Sequence, residues 1–465
     1  MTSSALHYMD FFKQKETISL TSFNKNIRKQ VHRTIKCNPF IDFDIKFNYF
    51  FISEEEETQI IVRHWIRILK IKLGWIPDFD ELVVAYVMFF IYLFSFNLNQ
   101  VLATDIFLLD IFCSSSKLTK TFSGHNDYVW SIDYSAFGCD KLLCSGSEDK
   151  TVRIWDVESG RQIKLFQGHS DPVYCVKFSP YHYHNRRCNV ICSSAYDKTI
   201  RFWDIKGNRQ LKMFNEHTNG VYGINFSPFS GGQYLCSGSV DKTIRLWDVE
   251  TFKSLSVLNR HEYAVWCVEF SPLQSHNNSN KSNAIGLIGG NGYTICSGSD
   301  DRTIRIWDIE TTKQLILFRG HTDCVRSVKY GSNELGINGG ANTILSGSRD
   351  QSVCLWDIRS GKEIQMFNGH TSYVYAVEYS PFVVDNNEIG GISNVICSAS
   401  YDNTIRFWDI RSNKYELHVV HGDKKKDCGI LCLTFIQLEK DRNSNNCCGI
   451  NLCYSSKNGP IHIWG

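Results

Sequence analysis

Residues 117–465 read as short apolar runs broken by polar turns, with alternation at a strand's period of two. The first unit shows the grammar. Val129-Trp130-Ser131-Ile132-Asp133-Tyr134 is one β-rich run, and Leu142-Leu143-Cys144-Ser145 is a second. A tight turn at Glu148-Asp149-Lys150 leads into Thr151–Trp155, and Ile163–Phe166 forms a fourth run. The same four-strand phrase then recurs, most plainly at SVDKTIRLWD (239–248), SDDRTIRIWD (299–308) and SYDNTIRFWD (400–409). A histidine precedes each copy, at His125, His169, His217, His261, His321 and His370. A seventh, degraded copy runs into Gly465. Repetition on this scale predicts stacked four-stranded units, so residues present in every copy are expected to be frame.

Between some copies the period lengthens through QSHNNSNKSNAIGLIGGNGY (274–293), NELGINGGAN (333–342) and VVDNNEIGGISN (383–394). Their Asn/Gly content suits surface loops and not a packed core. Before the repeats the pattern changes. Residues 1–52 have no clear period. Ser53 and Glu56 form a capping box ahead of an apolar stripe at Ile61, Trp65, Ile68 and Leu69, which predicts a helix ending near Gly74. A second helix is expected from about Asp78. From Leu82 to Thr104, 23 residues carry no charge. Ser95, Asn97, Asn99 and Gln100 make the last third polar, so the segment reads as a packed helix, with a membrane span as the alternative. The expected organisation is 1–52, a helical region 53–116, and the repeats 117–465.

The repeats resemble WD40 repeats. The resemblance implies an all-β fold, a seven-bladed β-propeller, preceded here by a small α-helical N-terminal region. It also implies a hydrogen-bonded tetrad in each blade. By position these are His125, Ser145, Asp149, Trp155; His169, Ser193, Asp197, Trp203; and His217, Ser237, Asp241, Trp247. The later three are His261, Ser297, Asp301, Trp307; His321, Ser346, Asp350, Trp356; and His370, Ser398, Asp402, Trp408. Six equivalent Ser-His-Asp sets ending in Trp describe a stabilising network and not one activated nucleophile. The seventh copy departs: Tyr454 takes the serine place, Asn458 the aspartate place, and His421 precedes Gly422. An incomplete network is expected there. No outer strand follows Trp464, and Lys117–Phe122 resembles the outer strands of the other copies. It is therefore expected to pair with residues 461–464 and latch the ring.

Function is sought where the copies differ. In propellers of this family the residue after the first Val of the inner strand projects to the channel rim. Here those residues are Trp130, Tyr174, Tyr222, Trp266, Arg326, Tyr375 and Leu431. A second variable place, just before the turn aspartate, holds Glu148, Tyr196, Val240, Asp300, Arg349, Tyr401 and Lys457. Aromatics and Arg concentrate binding energy because they bring rigid area at low entropic cost. The expectation is a non-enzymatic scaffold that binds a peptide or protein on this upper face. Glu148 and Asp300 beside aromatic rings suggest room for a ligand's Arg or Lys. Two copies continue as Trp-Asp-Ile-Arg, at Trp356–Arg359 and Trp408–Arg411. This resembles the WDxR element of cullin–RING substrate receptors, and makes Arg359 and Arg411 candidate adaptor contacts.

Composition narrows these readings. The net charge is +2 with 21% charged residues, so no basic field for nucleic acid exists. The chain has 43% hydrophobic and 13% aromatic residues, which belongs to a folded protein. Eighteen cysteines are present, and Cys144, Cys192, Cys236, Cys296 and Cys397 recur at one place in the repeat. A position reused in this way is a small buried hydrophobe, which fits reduced thiols in the cytoplasm or nucleus. No Walker A loop, HExxH helix, nucleophile elbow or dinucleotide glycine pattern occurs. His182 and His184 read as loop polarity, and no metal or cofactor is expected. The propeller is expected to be monomeric within a larger complex.

Overall fold

The computed structural model describes residues 107–135, 141–271, 293–331, 343–383, 395–411, 416–423, 426–437 and 450–465. The expected N-terminal helices, the segment 82–104 and nearly all of the three long inserts lie outside them. Seven four-stranded antiparallel sheets follow one another, and these are the blades of an all-β propeller. Blade one runs from the inner strand Val129–Tyr134 through Leu142–Ser147 and Thr151–Asp156 to the outer Arg161–Gln167.

The second strand of each blade is buried throughout or in all but its first residue, as in Leu142–Ser147 and Thr294–Ser299, because blades pack face to face on both its sides. That contact is close enough to select glycine. A Cβ on Gly238 would stand 2.7 Å from Val265 of the next blade, and one on Gly347 would stand 2.7 Å from Val374. The repeated cysteines Cys144, Cys192, Cys236, Cys296 and Cys397 are fully buried here as single thiols, and Cys453 occupies the same place in blade seven.

Blade seven is built from both ends of the repeat region. Its inner strands are Ile430–Gln437, Ile450–Ser456 and Ile461–Trp464, and its outer strand is Leu118–Phe122. The register pairs Leu118 with Trp464 and Phe122 with Ile461. Thr119 Oγ1 adds a bond to the Ile463 carbonyl at 2.9 Å. Pairing removes the exposed edge that Ile461–Trp464 would otherwise present.

One short helix precedes this strand. Phe107–Leu108 pairs in parallel with Phe382–Val383, and the helix Leu109–Ser115 follows. Leu109 and Phe112 are buried in one cluster with Phe382, Phe407 and Leu433, with the Phe112 ring 4.5 Å from that of Phe382. Residues 107–116, read from sequence as part of a separate helical region, thus pack into the core of blades six and seven. Among the described residues no helix is long and apolar enough to cross a membrane.

Candidate functional site: the upper face of the propeller

In each of the first six blades the repeated polar residues form one chain. The His Nδ1–Asp distances are 2.7–2.9 Å, the His Nε2–Ser distances 2.7–2.8 Å, and the Trp Nε1–Ser distances 2.7–2.9 Å. One proton arrangement satisfies every member. The indole donates to the Ser oxygen, the hydroxyl donates to Nε2, and Nδ1–H donates to the carboxylate. This requires a neutral imidazole. Burial, the largest influence, pushes His125, His169 and His261 below the ordinary histidine range. Burial pushes Asp197 upward, but bonds from His169 and Thr199 outweigh it and hold that carboxyl at about 2.

The aspartate also ties down the turn in front of it. Asp149 Oδ1 accepts from Thr151 N at 3.0 Å and Thr151 Oγ1 at 2.6 Å, while Ser147 Oγ accepts from Asp149 N at 3.1 Å. Lys150 then adopts a left-handed φ of 67°, and Lys198, Lys242, Arg302, Gln351 and Asn403 repeat it. The frame therefore fixes the backbone of the variable residue just before each aspartate.

Blade seven reaches the same end by another network. Asp427, which is fully buried, bonds His462 Nε2 at 2.7 Å, accepts from the Tyr454 hydroxyl at 3.1 Å and from Asp423 N at 2.6 Å. His462 Nδ1 meets Thr121 Oγ1 of the outer strand at 3.0 Å. The acid sits in the loop where the other blades carry histidine, and the histidine sits on the third strand. The network is rebuilt with its acid and histidine exchanged, and it is incomplete as expected, because Trp464 Nε1 is buried with no hydrogen-bond partner. It ties the latch strand to the blade.

The rim residues owe their direction to a bulge. In all seven blades the pairing of the first two strands slips once, and Trp130, Tyr174, Tyr222, Trp266, Arg326, Tyr375 and Leu431 are the skipped residues. A bulge re-aims a side chain out of the pleat. Six of these side chains close a circuit. Trp130 lies 5.3 Å from Tyr174, Tyr174 4.7 Å from Tyr222, and Tyr222 stacks on Trp266 at 3.6 Å and 10°. The Arg326 guanidinium lies 3.4 Å over Trp266 and 5.9 Å from Tyr375, whose ring is 5.9 Å from Trp130. Leu431 is buried and takes no part. Because Tyr174 also contacts Trp266 at 6.0 Å, two blades away, the rings pack across the channel mouth. Each of the six is half-buried by its neighbours.

This circuit also engages Glu148 and Asp300, each through one carboxylate oxygen. Trp130 Nε1 donates to Glu148 at 2.6 Å and Trp266 Nε1 to Asp300 at 2.5 Å. The cation over the aromatic rings is the protein's own Arg326.

Around this plug stand the turn residues. Tyr196 is 42% exposed, and Tyr401, Arg349 and Lys457 are partly exposed. Lys457 Nζ donates to the Tyr401 hydroxyl at 2.5 Å, and Arg349 lies 4.4 Å over Tyr373. Tyr263, 59% exposed on the loop entering blade four, belongs to the same face and lies outside both variable columns, three places before Trp266. Deeper in the channel the charges pair between blades: Lys177 with Asp133 at 2.8 Å, and Lys329 with Glu378 at 2.8 Å and Glu269 at 3.7 Å. Burial, against the pull of Lys329, pushes the Glu269 carboxyl up to about 7.

Two other sequence candidates lie away from this face. Arg359 and Arg411 are exposed on turns between third and fourth strands, at the opposite end of the blades, and Arg411 Nε meets its own Asp409 at 3.4 Å. His182 and His184 stand on a helix, Pro180–Arg186, and not in a loop. His182 is buried with Nδ1 2.8 Å from Ser179 Oγ.

Known proteins resemble the chain through its repeats. Curated relatives include Cell division control protein 4 of Saccharomyces cerevisiae, 37% identical over 67 residues, covering 14% of this chain and 8% of that protein. WD repeat and SOCS box-containing protein 1 of Danio rerio is 37% identical over 67 residues, covering 14% of this chain and 16% of the relative. Polycomb group protein FIE1 of Oryza sativa subsp. japonica is 39% identical over 71 residues, covering 15% and 19%. The matches thus span less than a fifth of each of these relatives. The profile of the WD domain, G-beta repeat, matches residues 116–156, 160–204, 208–248, 252–308, 312–357 and 361–409, more than half of the chain. With that coverage, seven blades and six hydrogen-bonded tetrads, the chain belongs to the WD40 repeat family.

Proposed function

We propose that this propeller is a non-enzymatic scaffold that binds a peptide or protein partner on its upper face. As a WD-repeat propeller it is an interaction module by fold, and the finer claim concerns where it binds. One observation supports that place above others. The side chains that vary between copies are aimed to one end of the blades by seven equivalent bulges, and the exposed aromatics Tyr196 and Tyr263 border them. Rigid aromatic area beside partly exposed Arg and Lys is the population that anchors partners. The outer strands also expose apolar residues, such as Ile163 and Leu315, but only one or two to a blade. Such scattered exposure is ordinary.

A second reading, receptor for a cullin–RING ligase through the two WDxR blades, draws on the exposure of Arg359 and Arg411. One relative is also named for a SOCS box. A single experiment separates the readings. A photo-crosslinking residue is placed in the full chain at Tyr196, at Arg411 or at Ile163, and adducts are collected in cells. Adducts are expected from position 196. Adducts from 411 alone would favour the ligase reading, and adducts from 163 alone would sink both.

A further inference from the structure

On the upper face Glu148 and Asp300 each already receive an indole N–H. Three of the cations of this face, Arg326, Arg349 and Lys457, stand on blades five and seven around the tyrosines of blade six. None of the three makes an ion pair with a carboxylate among the described residues. Asp300 and Asp323 act on Arg326 and Arg349 only from beyond ion-pairing distance. They are held by rings: Arg349 4.4 Å over Tyr373, Arg326 3.4 Å over Trp266, Lys457 5.0 Å from the Tyr401 ring.

Arg326 Nε and Arg349 Nε are both buried with no hydrogen-bond partner; Arg245 Nε and Arg406 Nε share that state, but their guanidinium groups reach Glu216 and Glu416. A desolvated guanidinium without a carboxylate is unfavourable, and burial pushes Arg326 below the usual arginine range. Ring contact holds each guanidinium, Arg349 also bonds the Tyr373 side chain, and the Nε–H of both arginines is left unmatched. A guanidinium edge fits the two oxygens of a carboxylate. We propose that the blade-five-to-seven sector of the upper face binds an acidic peptide segment of a protein partner, with Arg326, Arg349 and Lys457 receiving its Asp or Glu carboxylates. This rests on the reading of the upper face as the binding surface and gives its partner a charge.

The probe is fluorescein-labelled poly-Glu, with poly-Lys and a phosphoserine-containing peptide of equal length as the other arms. Binding to the full chain is followed by anisotropy over a salt series. Poly-Glu is expected to bind, with affinity falling as salt rises, and poly-Lys to bind at least tenfold more weakly. Arg349→Gln with Lys457→Gln leaves the aromatic circuit in place and should weaken poly-Glu at least tenfold at an unchanged melting temperature. Arg326→Gln should weaken it similarly. Equal poly-Glu affinity in the double variant, preference for poly-Lys, or no binding of poly-Glu would each overturn the assignment, as would binding of the phosphopeptide alone. If poly-Glu binding survives Arg349→Gln/Lys457→Gln but is lost in Tyr196→Ala, the upper face stands as the site and only its charge preference fails.

Discussion

Trp247→Ala should destabilise the propeller by about 3–5 kcal/mol, the range for removing a large buried aromatic. Trp247 is fully buried, stacks on Phe214 at 4.5 Å and 25°, and packs between blades two and three with Phe202 and Val221. Its loss opens a cavity in that cluster and also withdraws the indole N–H from Ser237. Ser237→Ala removes only the hydroxyl. It leaves the His217 Nε2 acceptor and the Trp247 donor unmatched, and should cost about 1–3 kcal/mol. Urea unfolding followed by tryptophan fluorescence and circular dichroism gives both numbers. A Trp247→Ala loss below about 1 kcal/mol would mean that the cluster collapses to fill the space, and that the tetrad is not what holds blade three.

Asp427→Ala should be as severe, though the residue lies in no repeated motif. Removing the carboxylate strands the His462 ring and the Tyr454 hydroxyl inside blade seven and frees the Asp423 amide. Breaking a buried pair by deleting one partner typically costs about 3–5 kcal/mol. The damage should be local first, because His462 is also the link to Thr121 on the latch strand. Hydrogen exchange should therefore accelerate in Leu118–Phe122 and Ile461–Trp464 before the other blades. Uniform acceleration around the ring, or none, would mean that Asp427 does not secure the closure.

The architecture was legible because each blade repeats its whole chemistry. The histidine, the Ser of the second strand, the turn aspartate and the tryptophan keep their order, so hydrophobic period and turn residues point to one fold. Blade seven shows where such reading fails. Tyr454 and Asn458 look like losses when aligned to a Ser and an Asp, and nothing in the sequence says that Asp427 and His462 have exchanged places. The rim column was also legible, but its state was not. Sequence lists Trp266, Tyr222 and Arg326 as neighbours in a column. Only geometry shows that they stack on one another at 3.4–3.6 Å and close the channel mouth with their own cation. Tyr263 escaped because a side chain's exposure depends on the loop's path and not on its column.

The division between frame and face is the central claim, and affinity for a captured partner tests it most directly. The partner is titrated at a temperature where every variant is folded. Ser237→Ala, a frame change, should leave affinity within about twofold. Tyr196→Ala with Tyr401→Ala should lower it about thirtyfold, the equivalent of about 2 kcal/mol for a hot spot. Full affinity in the tyrosine variant together with lost affinity in Ser237→Ala would contradict the account.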